Sequence, residues 1–220
     1  MTSASSLRHD RLAFWALSLM LFDHLAFLAA PFLGSWSELA RVPGRFCMPA
    51  FALMASFGAS GPSGRARDYL RRLALLAILS ELPYWLLFHE HVNAVAALSV
   101  GVAALLLFRD GVHYAALALL AFFAALCLLL GAGYESLYAL LVVSLGWRPF
   151  PLALPLSLAL SAFLNPPYFF FAPFTTLFLL WAIYGPLPPS LHLSRRFRYA
   201  FYPLHLAALF VLGSLFYSAS

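Results

Sequence analysis

The chain has very little charge for its length. Only 10% of its 220 residues are Asp, Glu, Lys or Arg, whereas about a quarter of an ordinary soluble domain is charged. Hydrophobic residues make up 64% of the chain, and 17% of the residues are aromatic. A chain of this composition can keep its apolar surface away from water only in lipid, so the composition excludes a water-soluble globular fold and predicts a membrane protein.

Lysine is absent and cysteine is rare. All 13 basic residues are arginine, and the formal net charge is +5. Arginine beside apolar segments sets the orientation of a membrane protein, so this charge indicates topology rather than nucleic-acid binding. Cys47 and Cys127 lie inside apolar runs without the paired spacing of a zinc or redox site. We therefore expect two buried thiols and no metal.

Apolar runs separated by turn-forming or charged residues recur along the chain. At the length of a transmembrane helix they predict an all-α polytopic bundle of about nine helices, with about seven to ten as the range. The runs 134–147 and 150–164 are short, and a re-entrant hairpin there would leave seven crossings. We expect one membrane domain over residues 1–220, with a cytoplasmic segment 1–11, helices over 12–217 and a first helix that is a retained signal anchor. The runs are 12–33, 46–60, 70–88, 93–108, 113–131, 134–147, 150–164, 168–184 and 199–217.

The distribution of arginine orients this bundle. If all nine runs cross and the N-terminus is cytoplasmic, 11 arginines lie inside, and only Arg41 and Arg45 lie outside. This division follows the positive-inside rule, and the odd number of crossings places the C-terminus outside. The prediction is a multi-pass protein of a bacterial inner (plasma) membrane.

Four ionisable residues fall deep within the apolar runs. They are Asp23, His24, Glu81 and His205. Each costs on the order of 3 kcal/mol to insert, so each needs a partner or a function. Interhelical hydrogen bonds worth about 1 kcal/mol each are one explanation. A functional cavity is the interpretation we favour, because histidine is a general base near neutral pH and a carboxylate can orient its ring.

Other polar residues fit simpler explanations. His89, Glu90 and His91 are read as a solvated loop, because no matching metal-ligand spacing occurs elsewhere. The arginine clusters 65–72 and 195–198 fit the topological rule, and they also suit anionic phosphates. The sequence contains no phosphate-binding glycine loop, metalloprotease helix motif or nucleophilic serine elbow.

Several short blocks, in this order, resemble the TraX family of polytopic membrane proteins, named for the F-pilin acetylase. The resemblance spans about residues 11–212 and extends to the wider class of membrane acyltransferases. The blocks are LFDH at 21–24, GRFCMPAF at 44–51, YLRRL at 69–73, SELPY at 80–84, Asn93 at the start of the fourth run, and FYPLHL at 201–206.

The resemblance implies transfer of an acetyl group from acetyl-CoA, the acyl-donor cosubstrate. The acceptor is a pilin N-terminus in the founding member and is open here among pilin, peptide, glycan and lipid. A thioester is already activated, so the enzyme mainly removes the acceptor's proton and stabilises an oxyanion. His24 is the expected base. Asp23 or Glu81 would orient it, and His205 would handle a second proton or bind the oxyanion.

The same interpretation assigns binding residues. Arg45, Asn93 and Tyr202 are expected to contact the substrate, with Arg45 holding an anionic group near the outer face. Arg71, Arg72 and Arg196 are expected to hold the phosphates of acetyl-CoA. Two other functions remain open: a proton-coupled transporter that uses the Asp, Glu and His cluster, and a membrane scaffold without catalysis.

Overall fold

The computed structural model describes residues 4–89, 92–131 and 194–218, with a few helical positions between 139 and 181. All regular structure in these ranges is helical, which confirms the predicted all-α class there. Six of the described helices have 13 or more residues. The elements are α1 (Ala4–Leu28), α2 (Ala30–Leu33), the 3-10 turn η1 (Gly34–Trp36), α3 (Ser37–Arg41), the 3-10 turn η2 (Val42–Phe46), α4 (Cys47–Ala59), α5 (Ser63–Phe88), α6 (Ala94–Arg109), α7 (His113–Leu129) and α8 (Arg195–Ser218).

Local sequence signals set the helix ends. Pro62 precedes α5 in an extended conformation, and α5 ends where His89 adopts a left-handed φ of 57°. Asn93 caps α6, because its side-chain oxygen accepts a hydrogen bond from the backbone N–H of Ala96 at 2.9 Å. These signals bracket the short connection between α5 and α6.

Six of the nine apolar runs coincide with described helices. The runs 46–60 and 93–108 agree with α4 and α6 to within one residue at each end. The run 12–33 differs, because α1 ends at Leu28 and the chain turns into α2 and then η1, where Gly34 has a φ of 54°. Asp23 and His24 therefore lie in the last two turns of α1 rather than at the middle of a span. The runs 150–164 and 168–184 and much of 134–147 lie outside the described residues, and nine crossings stay a prediction.

Small side chains bring the helices close together. Four alanines of α4 are almost completely buried, at positions 50, 52, 55 and 59. Gly58 lies against the ring of Tyr69 on α5, at a distance that leaves no space for a Cβ. Small residues at helix interfaces allow close backbone approach, which is how helices associate where water supplies no driving force. α5 also packs extensively against α6 and α8.

Arginine contacts bind several helix ends together at one end of the bundle. Arg109, the last residue of α6, donates to the carbonyls of Ala59 and Gly61 at 3.0 and 2.7 Å and to the hydroxyl of Ser63 at 2.8 Å. Arg198 near the start of α8 bonds Asp10 in α1 at 2.8 Å. We call this region the Arg-rich end: it holds the N-terminal ends of α1, α5, α7 and α8 and the C-terminal ends of α4 and α6.

The outer helix faces are apolar. Large hydrophobic side chains are exposed along α5, α7 and α8. A soluble protein rarely exposes contiguous apolar surface of this extent, whereas hydrocarbon solvates it well. Among the described residues one segment, Asp10–Leu28, is both long and apolar enough to cross a bilayer; α6 and α7 are apolar but shorter. The exposed apolar surface is at Ile78, Leu79, Leu82, Leu117, Phe122, Leu128, Leu129, Leu204, Val211 and Leu215.

We expect Arg109→Ala to lower the stability of the protein in detergent by about 1 kcal/mol, because three charge-assisted hydrogen bonds across the α4–α5 turn are lost at a partly solvated site. Thermal unfolding in micelles measures the loss. Arg71→Ala is the control, since Arg71 is exposed and bonds only Asp68 among the contacts described for it. Equal melting temperatures for the two variants would show that Arg109 does not hold the turn.

Candidate functional site

Two buried histidines from distant parts of the chain meet in the bundle. Nδ1 of His24 on α1 lies 2.9 Å from Nε2 of His205 on α8. The two ring planes are parallel to within 1°, with ring centroids 5.1 Å apart, and both residues are at least nine-tenths buried. The other ring nitrogen of His205, Nδ1, lies 2.9 Å from the carbonyl oxygen of Phe201 one turn earlier in α8. We call His24 and His205 the histidine pair.

Aromatic rings surround the histidine pair. Phe201 stacks on His205 with ring centroids 4.9 Å apart, and Tyr202 meets the same imidazole edge-on at 5.5 Å. Phe88, the last residue of α5, contacts His24 at 5.0 Å. Aromatic faces attract positive charge, so the Phe201 ring stacked on His205 can offset part of the cost of a positive charge on the histidine pair.

Asp23 forms an ion pair with the chain segment that follows α1. Its two carboxylate oxygens accept from Nε and Nη2 of Arg41 at 3.3 and 3.4 Å. The guanidinium also lies over the ring of Phe27, 5.2 Å from the centroid. A guanidinium matches a carboxylate in this two-bond geometry. Asp23 therefore fastens α3 to α1, while the neighbouring His24 points to α8.

Gly44 allows the segment after α1 to pack closely against Asp23. A Cβ at this position would overlap the Cβ of Asp23, so only glycine allows η2 to pack on α1. Gly44 belongs to the GRF block of the sequence. The requirement at this position is close backbone approach, since Gly44 is not among the described glycines with positive φ.

The variant Gly44→Ala should lower stability by about 1 to 3 kcal/mol, the usual cost of forcing a methyl group into a packed interface. Gly64→Ala is the matched control, because Gly64 lies in the first turn of α5 with nothing within 4 Å of its Cβ direction. Denaturation in detergent compares the two. A Gly44→Ala variant as stable as Gly64→Ala would mean that η2 does not lie against Asp23.

Glu81 bonds to Asn93 across the α5–α6 connection. The Asn93 amide donates to the Glu81 carboxylate and to the Ala77 carbonyl, the latter at 2.9 Å, and its oxygen accepts from Ala96. Asn93 is fully buried. The amide oxygen and both amide hydrogens are engaged within the protein, so Asn93 positions Glu81 in this structure. Contact between Asn93 and the substrate stays a prediction.

The other residues predicted to bind the substrate or acetyl-CoA lie in different parts of the bundle. Tyr202 is buried beside His205, close to the histidine pair. Arg71, Arg72 and Arg196 are exposed at the Arg-rich end, where phosphates can reach them. The backbone of Arg45 lies in η2, but its side chain lies outside the described residues.

No group of three His, Cys, Asp or Glu side chains that could hold a metal ion occurs in the part of the chain that the structure describes. His89 ends α5 as an exposed residue, and Glu90 and His91 lie outside the described residues. Cys47 and Cys127 are buried and are not joined in a disulfide. The expected absence of a metal stays a prediction.

Sequence reasoning missed Arg41 and the Phe201 carbonyl. The sequence did indicate Arg41 as a partner of Asp23, because an aspartate in the outer half of α1 needs a cation and only Arg41 and Arg45 are expected on that side. No pattern in the sequence indicated the Phe201 carbonyl as a partner of His205. A histidine bonding to the backbone four residues earlier depends on its side-chain rotamer, which the sequence does not specify.

A protein-family model described as "TraX protein" matches residues 8–213 of the chain. No curated protein and no solved structure matches it significantly. The matched range includes both residues of the histidine pair and both residues of the Asp23–Arg41 ion pair. It confirms the resemblance drawn from the short sequence blocks.

Proposed function

Because the chain belongs to the TraX family, we propose that it is an integral membrane acyltransferase that moves an acetyl group from acetyl-CoA to an amine or hydroxyl acceptor. The family suggests a role related to pilin acetylation, and a pilin, peptide, glycan or lipid acceptor fits the chemistry. One observation carries the proposal: the 2.9 Å contact between His24 and His205 in the interior of the bundle.

The chemistry requires a proton acceptor more than any other group. The acceptor's X–H bond breaks as its electron pair attacks the thioester carbonyl, and the proton passes to His24. Collapse of the tetrahedral intermediate breaks the C–S bond, and the proton returns to the CoA thiolate, so the histidine pair ends unchanged. A positioned base typically contributes about 10²- to 10⁴-fold to such a step.

The Arg-rich end is the proposed landing site for acetyl-CoA. Arg71, Arg72 and Arg196 are exposed there, and guanidinium groups bind phosphates well. Nine residues separate Arg196 from His205 on α8, a rise of about 13 Å along the helix. The long pantetheine arm suits a thioester that reaches inward from that end to the histidine pair.

We also propose that the protein crosses a bacterial inner membrane several times with the Arg-rich end in the cytoplasm. The connection from α7 to α8 begins at the opposite end and finishes at the Arg-rich end, which agrees with an odd number of crossings between them. Nine crossings, or seven with a re-entrant hairpin at 134–164, both satisfy that parity. The C-terminus then lies outside.

Single cysteines should report opposite sides of the membrane. Both native cysteines are buried, so introduced ones dominate labelling. Gly64→Cys, near the start of α5, should react with a membrane-impermeant maleimide only after the cells are opened. Ser35→Cys, in η1 at the opposite end, should react in intact spheroplasts. Labelling of both positions from the same side would contradict the topology.

Purified protein in lipid nanodiscs tests the reaction itself. We expect release of the CoA thiol from acetyl-CoA to rise when a peptide with a free N-terminus or a hydroxyl-bearing glycan is added. Proteoliposomes prepared in parallel measure proton-coupled flux of the same compounds. Flux without thiol release would favour the transporter and contradict the acyltransferase.

A further inference from the structure

The hydrogen bonds of the histidine pair fix which nitrogens carry protons. The Phe201 carbonyl can only accept, so Nδ1 of His205 carries a hydrogen. A neutral imidazole has one N–H, so Nε2 of His205 is an acceptor. The atom facing it, Nδ1 of His24, must then donate. In the neutral pair the lone pair of His24 is therefore on Nε2.

We propose that His205 is the positioning residue that sets this tautomer, and that Nε2 of His24 is the basic atom that takes the acceptor's proton. This assignment rests on the proposed acyl transfer. It also narrows the role of His205: in the neutral pair one of its nitrogens bonds Phe201 and the other bonds His24. His205 then does not donate to an oxyanion, which was one of its two expected roles.

The same contact serves both protonation states. When Nε2 of His24 gains a proton, the hydrogen on its Nδ1 can move to Nε2 of His205 along the 2.9 Å bond. The Phe201 carbonyl still accepts from Nδ1 of His205 in either state. The positive charge is then shared by two rings, one stacked on Phe201 and the other in contact with Phe88.

The partner at Nδ1 of His24 is an imidazole, whereas a carboxylate commonly orients a catalytic histidine. The Asp23 carboxylate bonds Arg41, and the Glu81 carboxylate bonds Asn93. A neutral partner carries no net charge into an apolar interior, where an isolated carboxylate is costly. Proton uptake and return during acyl transfer then need no permanent buried charge on the partner.

Nitrogen-15 spectroscopy of the wild-type protein tests the tautomers without an acceptor. The spectra are recorded at about pH 8.5, two units above the ordinary imidazole pKa, with His24→Gln and His205→Gln used for assignment. We expect both His24 and His205 as Nδ1–H tautomers. A hydrogen on Nε2 of either neutral ring would overturn the proposal.

Isosteric variants test the positioning role by activity. The side-chain oxygen of His205→Gln reaches the region of Nε2 and still accepts from His24, whereas the shorter His205→Asn reaches only the region of Nδ1. We expect His205→Gln to keep kcat within about tenfold of wild type, and His205→Asn to lose about 100-fold with an unchanged KM. Equal loss in both variants would contradict positioning through Nε2.

Different outcomes would contradict the acyltransferase proposal and the tautomer assignment. If the wild-type protein releases no CoA thiol with any acceptor, the acyltransferase proposal fails, while the spectra still report the tautomers. If thiol release is present and depends on His24 but the spectra show Nε2–H rings, the tautomer assignment alone is wrong.

Discussion

Replacing His24 by alanine should abolish acetyl transfer while leaving a folded, membrane-inserted protein. The variant removes the proposed base, a loss of about 10²- to 10⁴-fold in kcat, whereas one interhelical hydrogen bond contributes only about 1 kcal/mol to stability. The measurement is thiol release from acetyl-CoA by the variant and the wild type in nanodiscs. Folding is checked by thermal unfolding of the same samples.

His113→Ala is the matched control for that variant. His113 is an exposed histidine at the start of α7, and the substitution removes the same atoms from the Arg-rich end. It should keep wild-type turnover. If His24→Ala were as active as His113→Ala, His24 would have no part in the chemistry and the histidine pair would be structural.

Breaking the Asp23–Arg41 ion pair should lower the stability of the protein more than breaking the contact between His24 and His205. Both side chains are largely buried, with 13% and 18% exposed for Asp23 and Arg41. Asp23→Ala leaves a nearly buried guanidinium without its carboxylate, and we expect a loss on the order of 3 kcal/mol. Arg41→Ala leaves the complementary charge and should cost a similar amount.

The double variant separates the ion pair from the other contacts of each residue. Asp23→Ala with Arg41→Ala should be less destabilised than the sum of the single variants, with a coupling energy on the order of 1 to 3 kcal/mol. Denaturation in detergent supplies all four values of the cycle. Additive losses would show that the two residues act independently and that α3 is not fastened to α1 through them.

Much of the helical architecture could be predicted from length and chain-breaking residues. The run 46–60 corresponds to α4, and the run 70–88 ends with α5 at Phe88, although α5 begins seven residues earlier, at Ser63. The end of α1 could not be predicted, because the apolar character continues beyond Leu28 into α2 while the backbone turns. Hydropathy does not distinguish a straight apolar helix from an apolar turn, since both exclude water.

The candidate site was predictable in part. Insertion cost singled out Asp23, His24, Glu81 and His205, and the structure brings His24 and His205 into contact. The partners of Asp23 and Glu81 were not predictable. Their choice depends on how the segment after α1 folds back and on a capping asparagine, which is tertiary geometry without a local pattern.

A structure of the protein in lipid with a non-hydrolysable acetyl-CoA analogue would show directly whether acyl transfer takes place at the histidine pair. We expect the analogue's phosphates beside the exposed arginines of the Arg-rich end. We expect its carbonyl carbon near Nε2 of His24, with space for one acceptor atom between them, since reacting atoms approach to about 3 to 3.5 Å. An analogue bound with its acyl end at the surface, or against a face of the bundle away from the histidine pair, would contradict acyl transfer at this site.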